Sequence, residues 1–161
     1  MYKAIDVARH IINYLNNSGK TVSNLKLQKL LYFVQGFYLA LLDKPCFDDV
    51  IEAWDFGPVV PNVYREFKRF GSNSIPTVKL VYDFGGDLPT RSEYVDVITE
   101  ELDLHLINQI VDTLSQYSAS ALVDMTHAQD PWKNVYNQYD RHIIIDIESI
   151  KKYFKEAYVH A

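Results

Sequence analysis

The stretch Leu25–Leu42, LKLQKLLYFVQGFYLALL, decides the fold. It is apolar on nearly every face of a helix, yet Lys26, Gln28, Lys29 and Gln35 interrupt it. A surface helix of a globular protein carries one apolar stripe. This stretch is too apolar for that, and its lysines make it a poor bilayer span. It is expected to be a buried central helix around which the other elements pack. Lys26, Gln28 and Lys29 fall in its first turns, where such a helix emerges to solvent, so no special role is expected of them.

Before it, Ala4, Ile5, Ala8, Ile11, Ile12 and Leu15 recur at helical spacing and predict a helix over Lys3–Asn16, stopped at Gly19. Ser23 or Asn24 supplies the cap of the central helix. After it, Ile51–Trp54 reads as a short strand and Gly57-Pro58 as a turn. Pro61 opens a helix that carries Val63, Tyr64, Phe67 and Phe70. The polar segment Ser72–Glu93 alternates at Val78, Leu80 and Tyr82, which predicts a β-hairpin with a long Gly85–Ser92 loop. Further helices are expected from Thr99, from Ser118 to Met125, from Asp130 to Tyr136 and over Ile147–Ala157, with a short strand at Ile143–Ile145. The sum is a mostly α (α+β) chain: one helical domain over residues 1–161 around a central buried helix, with a small antiparallel sheet or hairpin.

The 161 residues suit one domain with a real core, and 48% of them are hydrophobic. The formal charge of −5 argues against non-specific binding to nucleic acid, which needs cations to neutralise phosphates. The N-terminal residues lack the continuous apolar run of a signal peptide. No segment reads as a membrane span. The lone cysteine, Cys46, excludes an intramolecular disulfide and fits a reducing cytoplasm.

Few residues point to chemistry. His127 follows Asp124 by three positions, a spacing that brings two side chains onto one helix face and lets a carboxylate orient an imidazole. The plainer reading is that His127 bonds a helix end or packs on Trp132. Asp55, beside Trp54, reads as a cap or dipole partner. No phosphate loop, nucleophile motif or metal-ligand spacing accompanies them, so no catalytic residue, cofactor or metal is expected. A helix-turn-helix is disfavoured, because the central helix has too few polar faces to read base edges. Arg65, Lys68 and Arg69 form a cationic stretch, either a solvated face or a patch for an acidic partner.

Three segments stand out: KLQKLLYFVQGFYLAL at Lys26–Leu41, FDDVIEAWDFGPVVPNVYREFKRFG at Phe47–Gly71 and LVDMTHAQDPWKNVY at Leu122–Tyr136. Together they resemble the Panacea antitoxin domain, a family that includes SocA-like and phage-associated GepA-like proteins. The resemblance implies a cytoplasmic antitoxin that binds a cognate protein toxin, encoded next door, and holds it inactive. Some members instead deliver a toxin to a Clp protease. Others carry an added DNA-binding domain, for which this sequence has no room. The residues expected at the partner interface are Trp54, Asp55, Tyr64, Arg65, His127 and Trp132, with core packing the alternative for the aromatic ones. Toxin choice is expected in variable loops such as Phe84–Glu93. The competing readings are a small enzyme using Asp55 and His127, which would need both side chains to converge in one pocket, and a transcriptional regulator.

Overall fold

In the computed structural model, which describes residues 1–159, Ser23 starts the longest helix, α2 (Asn24–Leu42). Its hydroxyl accepts the Lys26 amide at 3.3 Å. Asp43 ends the helix in the left-handed conformation, φ 59°. A cap of this kind is worth about 1 kcal/mol. Ser23→Ala is therefore expected to lower the stability by about that amount, read as a lower urea midpoint with an unchanged slope.

Fourteen of the nineteen residues of α2 are buried, which confirms it as the axis. Around it pack α1 (Ala4–Asn17), α4 (Glu101–Leu114), α5 (Ala119–His127) and α7 (Ile147–Tyr158). Between α2 and α4 come the short helix α3 (Pro61–Phe67), continued by a tight 3₁₀ turn at Lys68–Phe70, and four strands. One turn of helix, α6 (Asp130–Lys133), joins α5 towards α7. α1 ends as expected, with Gly19 at φ 75° and the Lys20 amide reaching back to the Leu15 carbonyl at 2.9 Å. α7 docks where α2 has no side chain. A Cβ on Gly36 would lie 2.4 Å from the Phe154 ring, so only glycine admits that ring. Tyr32, Phe33, Phe37 and Tyr158 surround Phe154 at centroid distances of 5.2–5.7 Å, mostly edge-on, the favoured aromatic geometry.

Two hairpins complete the chain. β1 (Glu52–Trp54) pairs antiparallel with β2 (Gly57–Val59), register Glu52↔Val59 and Trp54↔Gly57. The turn is therefore Asp55-Phe56, not Gly57-Pro58 as the dipeptide suggests. Ile143–Ile145 lies along the other edge of β1, through Ala53 N–H to Ile143 O and Ile145 N–H to Ile51 O. The second hairpin joins β3 (Leu80–Asp83) to β4 (Thr90–Glu93). Boundaries shift elsewhere by a residue or two. α4 begins at Glu101, and Gln129 rather than Asp130 occupies the N-cap of α6.

The polar residues of α2 overturn one expectation. Gln28 and Lys29, expected to emerge to solvent, are buried, and so is Gln35. Each meets the backbone of a segment that follows. Gln28 accepts the Val60 amide at 2.9 Å, and Lys29 donates to the Pro58 carbonyl at 2.9 Å. Gln35 accepts from the Cys46 and Phe47 amides and donates to the Phe47 carbonyl. Irregular backbone laid against a buried axis must find partners there, since water is excluded. Lys26 alone of the early set is half-buried, its ammonium on the Ser115 carbonyl at 2.7 Å.

Candidate functional site

The tip of the β1–β2 hairpin gathers most of the residues singled out by sequence. α5 ends at His127, and its imidazole reaches across to the Asp55 carbonyl at 3.0 Å. A carbonyl only accepts, so Nε2 carries the proton. Trp132 in α6 donates its indole N–H to the Trp54 carbonyl at 2.8 Å. Four residues on, the Tyr136 hydroxyl donates to the Asp55 carboxylate. That hydrogen bond, more than burial, raises the Tyr136 pKa. The three rings form one stack, His127 on Trp132 at 4.1 Å and Trp132 on Tyr136 at 4.4 Å. They clamp the turn from one side.

The other side is closed by aromatic and charged groups. Tyr64 of α3 meets the Trp54 ring edge-on at 4.9 Å. The Arg141 guanidinium lies 5.4 Å above the same ring, within cation–π range. Trp54 donates its indole N–H to Glu52 at 3.1 Å, and His142 stands 3.5 Å from the same carboxylate oxygen. From beneath, Lys29 holds the Pro58 carbonyl in a space that Gly57 leaves open. Burial pushes the Lys29 ammonium down to about 7.

Trp54, Asp55, Tyr64, His127 and Trp132 thus converge on one feature. Arg65 does not join them. It is exposed and donates to Asn62 within its own helix. Asp124 is exposed, and His127 bonds the Asp55 backbone instead of the Asp124 carboxylate. The plainer reading of His127, packing on Trp132, is the observed one. Asp55 is not a helix cap; its carboxylate takes the Tyr136 hydroxyl. The Asp55 carboxylate and the imidazole do not bond one another. Neither residue lines the grooves of about 700, 390, 290 and 240 Å³ found elsewhere on the molecule. Among the described residues no group of three or more His, Cys, Asp and Glu is placed to hold a metal. Among them, too, no helix is long and apolar enough to cross a membrane. Cys46 is buried, and burial pushes its thiol up to about 12, away from reactivity.

Sequence reasoning missed Phe56, Tyr136 and Arg141. Phe56 stands at the tip with 65% of its surface exposed. Its signal was present: an apolar ring at a two-residue turn position that ordinarily takes a polar residue or glycine. Tyr136 follows Trp132 by one helical turn. Nothing local marks Arg141, which comes from the loop after α6.

The Antitoxin SocA-like, Panacea domain family matches residues 27–133, a span that holds most of α2, both hairpins and the His127–Trp132 pair. Antitoxin SocA of Caulobacter vibrioides (strain NA1000 / CB15N) is 32% identical over 162 residues, covering 94% of this chain and 81% of that protein. No solved structure matches. With residues 27–133 matched by the family and 94% of its length aligned to that antitoxin, this chain belongs to the SocA-like Panacea antitoxin domain family.

Proposed function

We propose that this chain is a binding protein that neutralises a protein toxin by direct contact, and that the face around Phe56 makes that contact. The relative at 32% identity is named an antitoxin, and this reading extends its role to the present chain. The observation that carries the choice of face is Phe56 itself. A large apolar ring, 65% exposed, is held on a two-residue turn that His127, Trp132 and Tyr136 fix from behind. A rigid aromatic anchor on a preorganised support is the usual form of an interface hot spot. Arg141 and the exposed Tyr139 lie in the adjoining loop and supply the other residue types enriched there. The partner is a cytoplasmic protein, and the product of a neighbouring gene is the first candidate.

Co-expression tests the reading. The products of flanking genes are expressed alone and with this chain, and growth is scored together with toxin level by immunoblot. Rescue with an unchanged toxin level is expected, because occlusion needs no degradation. A fall in toxin level that depends on a Clp protease would replace occlusion by delivery. If no flanking product is toxic and none co-purifies, the reading fails. Phe56→Ala is expected to abolish rescue, through a loss of about 2 kcal/mol or more in binding, while the melting temperature stays that of the parent.

A further inference from the structure

We propose that the groove between α3 and the β3–β4 hairpin is a docking site for an extended, acidic segment of a protein partner, which adds as a strand to the open edge of β3. The proposal rests on the reading of this chain as a toxin-binding protein, and it concerns a surface separate from the Phe56 face.

The edge follows from the register. Leu80 pairs with Glu93 and Tyr82 with Arg91, and the Tyr94 amide donates to the Lys79 carbonyl. Ladder bonds in an antiparallel pair alternate along each strand. Lys79, Val81 and Asp83 therefore bond across to β4, and the N–H and C=O of Leu80 and Tyr82 face the other way. Two residues earlier on that same edge, Val78 is already satisfied. Its amide donates to Asn13 Oδ1 at 2.8 Å and its carbonyl accepts from Asn13 Nδ2 at 3.0 Å. One side chain of α1 thus plays the part of a neighbouring strand. Beyond it, among the described residues, no group bonds the N–H or C=O of Leu80 or Tyr82. An unpaired edge is a template for another strand, and peptides use such edges by strand addition.

Charge names the occupant. The groove, of about 700 Å³, runs along this edge, with the 3₁₀ turn after α3 on the opposite wall. Arg9, Arg69 and Lys79 line it against a single carboxylate, Glu66. Asp6 lies 3.8 Å from Arg9 and offsets part of that cation. The surplus is still positive on a chain whose formal charge is −5. Arg69 rests on Phe70 at 4.8 Å, and Tyr82 stacks on Phe84 at 6.5 Å, so the walls also offer rings to apolar side chains. A strand alternating acidic and apolar residues meets both features. A second copy of this chain would set cation against cation, which disfavours it.

An acetylated peptide of alternating Glu and Val, about eight residues long, is titrated against the intact chain, with amide NMR as the readout. Saturable downfield shifts confined to the Leu80 and Tyr82 amides are expected, weakening as salt rises. The matching Lys/Val peptide is expected to bind at least about tenfold more weakly. Tyr82→Pro removes one edge N–H without touching the ladder to β4, and a loss of at least about tenfold is expected. Arg69→Glu, on the opposite wall and outside any strand, is expected to abolish the preference for the acidic peptide. The proposal is overturned by absence of shifts up to about 1 mM peptide, by equal binding of both peptides, or by tighter binding of an oligothymidylate. Shifts that grow with the chain's own concentration would make a second copy the occupant and overturn it as well. Growth rescue plays no part in this titration, so failure of the groove and failure of the antitoxin reading are read separately.

Discussion

Gly57→Ala is expected to cost about 3–5 kcal/mol, a large share of the stability of a chain this size, and to leave little folded protein at 37 °C. Two effects add. Gly57 has φ 105°, a conformation that L side chains rarely adopt. Its added Cβ would also lie 2.7 Å from Lys29 Cε and 2.7 Å from Thr126 Oγ1. Neither neighbour can yield cheaply. Lys29 is fully buried with its ammonium on the Pro58 carbonyl, and the Thr126 hydroxyl is bonded to the Val123 carbonyl at 2.9 Å. Gly71→Ala separates the two contributions. Gly71 also has positive φ, 57°, but nothing lies within 4 Å of its would-be Cβ. Its replacement is expected to cost the conformational part alone, about 1–3 kcal/mol. Chemical denaturation of both variants checks the difference. Equal costs would mean that the hairpin yields and that Lys29 does not hold it.

The second large effect is on pH dependence. Burial lowers the Lys29 pKa in the fold to about 7, from an ordinary value near 10.5. Between those two values the unfolded chain binds a proton that the folded chain does not. Stability therefore rises as pH increases through this window and is flat below about pH 7. The slope is about 1.4 kcal/mol per pH unit, or about 2–3 kcal/mol from pH 7 to 9. Buried tyrosines such as Tyr32, whose pKa burial raises, act in the opposite sense near and above pH 10, and the Cys46 thiol, pushed up from 9.0 to about 12, does so from about pH 9, so the rise is read between pH 7 and 9. Lys29→Met keeps the stem's volume and removes the titration. The gap between parent and variant is expected to shift by that amount, in favour of the parent, as pH rises. A gap independent of pH would show that Lys29 remains charged in the fold.

Both effects come from a residue that local pattern assigns to solvent, and this marks where sequence reading stops. Apolarity of Leu25–Leu42 identifies the axis because its magnitude exceeds what one stripe needs. It says nothing of why Gln28, Lys29 and Gln35 sit within it. Their partners are backbone groups 11–32 residues away, and no periodicity encodes those. His127 is a like case. Spacing offers Asp124 three residues before it, but that carboxylate stays in water, and the imidazole goes to a carbonyl 72 positions distant. The family motifs carry what periodicity cannot: they place Trp54, Asp55, His127 and Trp132 in the quoted segments, and these residues do meet. Phe56 lies in the same segment, but a ring at a turn tip contributes little to a fold.

That last point bears on how such a protein changes partners. The β1–β2 turn is gripped through its backbone: the carbonyls of Trp54, Asp55 and Pro58 all take side-chain donors from elsewhere. Its shape does not depend on what position 56 carries. Mutation can therefore explore that site while the scaffold stays indifferent, and if the proposed contact through position 56 holds, a lineage can retune its grip one residue at a time without first relearning how to fold.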